Sequence, residues 1–301
     1  MGLVAEKRGW TVPRVLGGLL VGALTAALLT VGGTNAASDE QRTVAQAPRA
    51  ASAEQTSTPI VLPPPVALPR PDLAAAAQQA APDAELGILV YDRVSGQQLV
   101  SLNPDRQFAT QSVVKLLIAL DWLDRNGTGD AGQVQEMLSR SDDDVADQLW
   151  DDGGGTGIVS RMATRIGMTH TAPPDNPDWW GNTTTTAADL VQLYQYLLNQ
   201  APADERTVIL NALGAATKTA ADGFDQFFGI PDSAGSRTWA VKQGWACCTP
   251  GIDLHTTGVL GTNDRYILIV LTSQQGDVDW ATASANVTAV TAALMPALVG
   301  N

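Results

Sequence analysis

A serine and a lysine three residues apart, Ser112 and Lys115, open an apolar run that reads SVVKLLIAL. If the run is helical, both side chains project from the same side of its first turn, so a hydroxyl and an amine can meet. Burial would lower the pKa of the amine and favour its neutral form, which can take a proton from serine. The spacing therefore indicates a serine nucleophile with a lysine base, at a helix start whose dipole favours charge on the serine oxygen.

The competing interpretation of Lys115 is a lysine that lays its methylenes on apolar neighbours and extends its amine to water. A serine three residues before a lysine arises often by chance. Against this stands the scarcity of lysine, because the 301 residues contain only four, at positions 7, 115, 218 and 242. The pair alone does not decide between the two interpretations.

Two more short motifs follow along the chain, and each has an ordinary explanation when taken alone. Ser141-Asp142-Asp143 fits an acidic, solvated helix start, and Lys242-Gln243-Gly244 fits an exposed lysine on an edge strand beside a turn. Together with Ser112-x-x-Lys115 and in this order, they resemble the S-x-x-K, S-D-N and K-T-G set of class A β-lactamases and related penicillin-binding proteins. The resemblance covers most of residues 86–301.

The resemblance implies a role for each of these residues. Ser112 would be the acylated nucleophile and Lys115 its base. Lys242 would hold the hydroxyl of Ser141, which relays a proton to the leaving group, and would attract a substrate carboxylate. Backbone N–H groups of Ser112 and Trp245 would form the oxyanion hole, and these donors need no particular side chain. The remaining motif positions would contact the substrate: Asp143, Gln243 and Gly244.

Three departures from the family pattern bear on activity. Asp143 stands where the family has Asn, and an ionised carboxylate cannot donate a hydrogen bond to a substrate carbonyl. It can pair with Lys115 instead, which would raise the pKa of that amine and weaken the base. Gln243 replaces Thr and would alter the pocket for a substrate carboxylate. The spacing between the first two motifs is also shorter than in class A enzymes, which predicts a reduced helical lobe.

The loop at residues 171–182 contains no glutamate, whereas a glutamate in this loop of class A enzymes activates the deacylating water. Asp175 and Asp178 are shorter replacements, so we expect a poor β-lactamase. Trp179 and Trp180 in the same loop favour either a wall that binds sugar or peptide, or packing against the domain.

Composition narrows the partners. The net charge of −13 argues against nucleic acid and favours a small-molecule or peptide substrate. The two histidines, His170 and His255, we interpret as structural, and no cofactor or metal is expected from so few Cys and His residues. Cys247 and Cys248 can form at most a vicinal disulfide or remain buried thiols, and no local motif supports a catalytic cysteine. We expect a monomer.

The N-terminal third differs in composition from the rest. Basic residues precede an apolar stretch at 15–33 that is long enough to cross a bilayer, so residues 1–37 are predicted to be a signal peptide or a signal anchor, which would attach an uncleaved chain to the membrane. No cysteine lies near it, which argues against an N-terminal lipid anchor. Residues 38–82 are rich in Ala, Pro, Ser and Gln and are predicted to be a disordered linker, with a helix over 73–81 as an alternative. The hydrolase domain is then predicted at 83–301.

The fold is predicted to be α+β, with an antiparallel sheet built from both chain ends, flanking helices and the reduced helical lobe. Alternating or apolar segments predict strands at 86–92, 97–102, 238–246, 254–260 and 265–272. Periodic segments between and after them predict helices, including one over 112–126 that ends at Gly127, one capped by Thr185 or Thr186, and one that begins near Asp279.

These expectations lead to two functions. The first is an exported serine acyl-enzyme hydrolase of the β-lactamase and penicillin-binding-protein type, acting on an amide or ester such as a cell-wall peptide or a β-lactam. The second is a catalytically weak or inactive module of the same fold that binds cell-wall fragments or a partner protein. The four residues Ser112, Lys115, Ser141 and Lys242 favour the first, whereas Asp143 and the missing glutamate favour the second.

Overall fold

The protein is described here from a computed structural model, in which residues 70–247 and 251–298 are defined. The signal segment predicted at residues 1–37 and the linker from 38 to 69 lie outside the described residues and stay predictions. Within the described ranges, no helix combines the length and apolar character needed to cross a bilayer.

A five-stranded antiparallel sheet joins the two ends of the described chain, in the spatial order β2-β1-β7-β6-β5. Its strands are β1 Ala84–Asp92, β2 Gln97–Leu102, β5 Trp239–Ala246, β6 Gly251–Leu260 and β7 Tyr266–Gln275. A short second antiparallel pair consists of β3 Phe108–Ala109, which lies just before the predicted nucleophile along the chain, and β4 Thr184–Thr185. The predicted fold class is confirmed, because strands from both ends form one antiparallel sheet with helices between them.

Helices surround this sheet. They are α1 Pro71–Ala80, α2 Lys115–Asn126, α3 Gly132–Ser139, α4 Asp143–Asp152, α5 Thr156–Ile166, α6 Ala187–Asn199, α7 Ala203–Gly214, the short α8 Ile230–Ser233 and α9 Trp280–Leu294. Thr186, one of the two predicted cap residues, accepts a hydrogen bond from the backbone N–H of Asp189. Asp279, near which the last helix was predicted to begin, is its N-cap and accepts from the backbone N–H of Thr282. Gly127 ends α2 with φ +71°, a backbone angle that glycine adopts without strain. Helix α7 was not predicted.

Both faces of the sheet are buried. Alternate residues of its central strand point to opposite faces and belong to two different hydrophobic cores. Leu268 and Val270 of β7 pack with α1 and α9, whereas Ile267 and Ile269 pack with the helical lobe formed by α2 to α7. The strand β5 is the edge nearest the nucleophile and packs against the turn that precedes α2. The predicted site therefore lies where a sheet edge meets the helical lobe.

Helix α1 belongs to this fold. Leu73, Ala74 and Ala77 are buried in the core that contains Val287 and Leu294 of α9. The helix offered as an alternative over 73–81 is thus present, and the fold begins before the domain start predicted at residue 83. The alanine-rich composition resembled a linker, but the small side chains let two helices pack closely.

An aspartate scan of α1 tests this packing. Ala77→Asp places a carboxylate at a fully buried position and should lower the free energy of unfolding by about 1–3 kcal/mol. Ala75→Asp makes the same change on the exposed face of the same helix and should stay within about 0.5 kcal/mol of the native protein. Urea denaturation of the full chain measures both, and equal effects of the two substitutions would show that α1 does not pack on the sheet.

Candidate active site

The predicted nucleophile lies in a tight turn that leads directly into α2. Gln111–Val114 form a 3-10 helix, in which Ser112 is buried, and Lys115 is the first residue of α2. Lys115 Nζ lies 3.1 Å from Ser112 Oγ, which is hydrogen-bonding distance. The two side chains meet as predicted, although Ser112 lies in the 3-10 turn before the α-helix rather than within it.

Ser141 reaches the same point from the loop between α3 and α4. It has a left-handed φ of +53°, which is uncommon for a residue with a side chain. Asp142 follows as the N-cap of α4, and its carboxylate accepts a hydrogen bond from the Val145 N–H at 3.0 Å. The cap fixes the start of the helix and so holds Ser141 in its strained position, as is typical of functional loops.

Lys242 approaches Ser141 from the sheet side. Its Nζ lies 2.9 Å from Ser141 Oγ, and Lys115 Nζ lies 3.3 Å from the same oxygen. One hydroxyl thus stands between two amines, one from each lobe, with Ser112 Oγ beside the first amine. The structure brings together all four residues for which catalytic roles were predicted.

Gly244 allows this close approach. A Cβ at this position would lie 2.9 Å from the carbonyl oxygen of Thr110 and 3.1 Å from Val113 Cγ2. Any side chain would therefore push β5 away from the 3-10 turn and lengthen the path from Lys242 to Ser141. The glycine of this motif acts through backbone packing, so its predicted contact with substrate is not needed to explain it.

Burial controls the charge of both amines. The pKa of Lys115 is lowered because its side chain is removed from water, while the nearby charge of Asp143 acts in the opposite direction. The pKa of Lys242 is lowered well below its usual value by burial and, next, by the charge of Lys115. Both shifts favour the neutral amine, which is the form that can take a proton from a serine.

Asp143 forms the ion pair with Lys115 that the sequence allowed. The Lys115 side chain is fully buried, but that of Asp143 is 59% exposed, so water screens its charge. The attraction therefore reduces the effect of burial on the pKa of Lys115 without reversing it. Asp143 also lines the cavity that opens above Ser112.

That cavity has a volume of about 340 Å³ and lies between the 3-10 turn, α4, β5 and the loop at residues 171–182. Its lining consists of Gln111, Ser112, Asp143, Asp147, Asp178, Trp179, Trp180, Gly181, Asn182 and Trp245. The Trp245 side chain donates from Nε1 to Asp222 Oδ2 at 2.9 Å and stacks on Phe224, with ring centroids 4.9 Å apart. This leaves the Trp245 ring as one wall of the cavity, while the oxyanion-hole role of its N–H stays a prediction.

The loop at residues 171–182 is fastened to α4 by two tryptophans. Trp150 Nε1 donates to the Pro177 carbonyl oxygen at 2.9 Å, and Trp180 Nε1 donates to Asp147 Oδ1 at 2.7 Å. Asp147 was missed from the sequence, although it lies four residues after Asp143 on α4 and therefore on the same helix face. Trp180 packs partly against the helical lobe, whereas Trp179 is 61% exposed at the cavity.

Comparison with known proteins agrees with this geometry. Residues 70–162 match the sequence pattern of the β-lactamase enzyme family. A Mycobacterium tuberculosis protein named "Putative lipoprotein LppW" is 39% identical over 230 residues, which make up 73% of this chain and 72% of that protein. An identically named Mycobacterium bovis protein matches equally well. The chain belongs to the β-lactamase enzyme family.

Solved structures of family members share the fold. The "Putative Class A Beta-Lactamase PenP" of Rhodopseudomonas palustris superposes with a TM-score of 0.63 at 18% identity, over 75% of this chain and all of that one. A PBP-A mutant, solved as an acyl-enzyme complex with penicillin G, superposes with a TM-score of 0.62 at 18% identity, over 77% of this chain and 98% of that one. At 18% identity these superpositions establish that the fold is shared. The chain is therefore a divergent β-lactamase-like protein.

In this β-lactamase-like protein, Gln243 does not reach the cavity. Its side chain is buried, and Nε2 donates to the carbonyl oxygens of Gln226 at 3.0 Å and Phe228 at 2.8 Å. The predicted contact of this side chain with substrate is therefore wrong. Successive residues of a strand face opposite sides, so Lys242 directed to the helical lobe places Gln243 on the other face of the sheet.

The two histidines lie apart from the catalytic groups. His255 is fully buried, with Nε2 2.8 Å from the Ala109 carbonyl oxygen, and its Nδ1 accepts from the Thr272 N–H at 3.2 Å. This fixes the neutral ring under β3 and fits the structural role expected for it. His170 is exposed and lies outside the cavity lining. Cys247 is disulfide-bonded, so it is not a free thiol.

The charge of Lys115 can be measured directly, because only four lysines contribute to a carbon-13 spectrum labelled at the lysine ε carbon. Lys115 should titrate below 10.5, and Asp143→Asn should lower its midpoint further, since the lost carboxylate stabilised the ammonium form. Asp144, the exposed residue next to Asp143, offers a matched control. Asp144→Asn should move the titration midpoint of Lys115 much less. A Lys115 midpoint that rises or stays fixed in Asp143→Asn would contradict the ion pair.

Proposed function

We propose that the protein is an exported serine hydrolase that forms an acyl-enzyme at Ser112 on amide or ester substrates. The observation that supports this is the convergence of Ser112 Oγ, Lys115 Nζ, Ser141 Oγ and Lys242 Nζ within hydrogen-bonding distance at the floor of an open cavity. A nucleophile beside a base that is itself oriented by further groups is the arrangement that covalent catalysis needs.

Acylation follows from the distances. Neutral Lys115 takes the hydroxyl proton of Ser112 across 3.1 Å while Ser112 Oγ attacks the substrate carbonyl carbon. When the bond to the leaving nitrogen or oxygen breaks, that atom takes a proton from Ser141 Oγ. Ser141 recovers a proton from Lys115, 3.3 Å away, so the proton lost by Ser112 leaves with the product.

Lys242 has a supporting part in this scheme. Its Nζ contacts Ser141 Oγ at 2.9 Å and the carbonyl oxygen of Gln243 at 2.8 Å, so it orients the relay hydroxyl rather than facing solvent. Backbone N–H groups of Ser112 and Trp245 are proposed to stabilise the negative charge on the attacked oxygen. The edge position of β5 supports this, because an edge strand has N–H groups without a partner strand.

Deacylation is proposed to be slow. Hydrolysis of the acyl-enzyme needs a water that attacks the ester carbon while a base takes its proton. Of the carboxylates at the cavity, Asp143 is paired with Lys115 and Asp147 accepts a hydrogen bond from Trp180. Asp178 stands on the loop where the related enzymes carry glutamate, with a side chain one methylene shorter. We therefore propose a poor β-lactamase.

Export and membrane attachment are proposed from the N-terminal segment. Lys7, Arg8 and Arg14 precede the apolar stretch at residues 15–33, as in signal peptides and signal anchors. The word lipoprotein in the names of the mycobacterial relatives supports an extracytoplasmic location for this chain too. A cell-wall peptide or a β-lactam is then the class of amide that the site would meet.

The second candidate is a catalytically weak module of the same fold that binds cell-wall fragments or a partner protein. The Lys115–Asp143 ion pair favours it, because a protonated Lys115 cannot accept the proton of Ser112. The convergence of Ser112, Lys115 and Ser141 at one point, with Lys115 buried so that its pKa is lowered, favours hydrolysis over this second candidate.

Intact-protein mass spectrometry tests the nucleophile. Incubation with a fluorophosphonate, and separately with a fluorescent penicillin, should add one probe mass to the protein and none to Ser112→Ala. Ser141→Ala should still be labelled at Ser112. Its rate of acylation by the penicillin should fall by a factor of roughly 10²–10⁴, the usual contribution of a proton-transfer group. Absence of labelling by every acylating probe would leave the binding module as the function.

A chromogenic cephalosporin separates acylation from deacylation. We expect a burst of about one product molecule per enzyme, followed by a steady rate at least roughly a hundredfold below the ~10 s⁻¹ typical of enzymes. The reason is the lack of a glutamate in the loop at 171–182. Steady turnover without a burst, at a rate near that of typical enzymes, would contradict slow deacylation, and Ser112→Ala gives the background.

A further inference from the structure

The cavity above Ser112 carries negative and aromatic groups but no accessible cation. Three carboxylates line it, from Asp143, Asp147 and Asp178, and its lining includes no Lys, Arg or His. The amines beneath it, Lys115 and Lys242, are both fully buried and hydrogen-bonded within the protein. A substrate that enters this cavity therefore meets a negative potential, in a chain whose net charge is already −13.

A pocket for a substrate carboxylate is missing from the same cavity. The Gln243 side chain, at the motif position where the related enzymes have Thr, is turned to the opposite face of the sheet and bonds two backbone carbonyls. Lys242 is occupied by Ser141 Oγ and the Gln243 carbonyl oxygen. An anionic recognition group would thus be desolvated with no positive partner, which is costly.

The aromatic wall supplies an independent observation. Trp179 is 61% exposed at the cavity, and few large apolar side chains in the described residues are so exposed. The preceding residue, Asp178, is exposed. Within the described part of the chain, its carboxylate accepts no hydrogen bond and forms no ion pair. An indole face next to a free carboxylate is an environment that attracts an organic cation through both the ring quadrupole and the charge.

A metal ion does not fit this site. No group of three or more His, Cys, Asp or Glu side chains within the described ranges is arranged to hold one. Asp147 already accepts from Trp180 Nε1 at 2.7 Å, and Asp143 is paired with Lys115, so neither carboxylate is free to converge with Asp178 on a small ion. A larger, weakly hydrated cation that spreads its charge over the ring of Trp179 fits the arrangement better.

We propose that this cavity selects acyl substrates that carry an organic cation, such as an ammonium or guanidinium group, held at Asp178 and the ring of Trp179. Substrates recognised through a carboxylate are disfavoured. The inference rests on the proposed function, because it names the substrate class of the Ser112 site. It also gives the exposed Trp179, which packing does not explain, a part in specificity.

Three p-nitrophenyl esters with acyl chains of equal length test the charge preference. One chain ends in trimethylammonium, the second in its neutral isostere tert-butyl and the third in carboxylate. At low salt, the full-length protein should acylate with kcat/KM in the order cation, neutral, anion, and the cation should exceed the anion by roughly tenfold or more. The difference should shrink as salt rises, because the carboxylates at the cavity mouth are exposed.

Variants then locate the preference. Asp178→Asn and Trp179→Leu should each reduce the ratio of cationic to neutral kcat/KM severalfold. Asp175→Asn removes the same charge from the same loop outside the cavity and should leave that ratio within about twofold of the native value. Equal effects of Asp175→Asn and Asp178→Asn would show that the preference comes from the net negative charge of the protein. That result would overturn the proposed cation site at Asp178 and Trp179.

A binding measurement separates failure of this inference from failure of the proposed function. In Ser112→Ala, titration with hexyltrimethylammonium should shift the indole N–H resonance of Trp179, and the neutral isostere should not. Reaction of all three esters at equal rates, or faster reaction of the anion, would overturn the cation preference while leaving the serine hydrolase intact. Cation binding without acylation of Ser112 would keep the cavity's preference and refute the hydrolase.

Discussion

The removal of two amines from water is the constraint on which the site depends. An isolated ammonium is costly to bury, so Lys115 and Lys242 must be neutral, paired or hydrogen-bonded in this fold. They come from opposite lobes and meet at one hydroxyl, Ser141 Oγ, which lies 3.3 Å from the first and 2.9 Å from the second. The seam between β5 and the 3-10 turn must therefore stay closed, because water entering it would raise the pKa of both amines and remove the base. Gly244 keeps it closed, since no side chain separates the two backbones there.

Backbone strain in the helical lobe beside the seam follows from the same need. Gln111 and Ser141 have left-handed φ values of +48° and +53°, and such residues cost of order 1–3 kcal/mol each. Each is held by a neighbour, since Gln111 Nε2 donates to Asp253 Oδ2 at 3.0 Å and Asp142 caps the helix that follows Ser141. The fold thus gives up some stability to aim Ser112 and Ser141 at one point.

The sequence predicted those parts of the structure that local patterns control. The apolar run of β7, the cap at Thr186, the helix start near Asp279 and the three motifs were readable because each depends on neighbours within a few residues. Helix α1 was taken for linker, since alanine-rich segments carry little periodic signal until a partner such as α9 is known. The direction of the Gln243 side chain could have been predicted, because successive side chains of a strand point to opposite faces and Lys242 precedes it. Asp147 could not be assigned, since its contact with Trp180 joins two elements that only the tertiary fold brings together.

The charge of the cavity and the charge of the base are one electrostatic problem. Asp143 faces both, because it pairs with Lys115 below and lines the cavity above. Its carboxylate favours the ammonium form of Lys115, which opposes the effect of burial. A cation bound near Asp178 and Trp179 would reverse part of that influence, because a positive charge close to Lys115 destabilises the ammonium and lowers its pKa. Under the proposed preference, a cationic substrate would thus help to generate the neutral amine that takes the proton of Ser112, whereas an anionic substrate would favour the ammonium form of Lys115 and slow acylation.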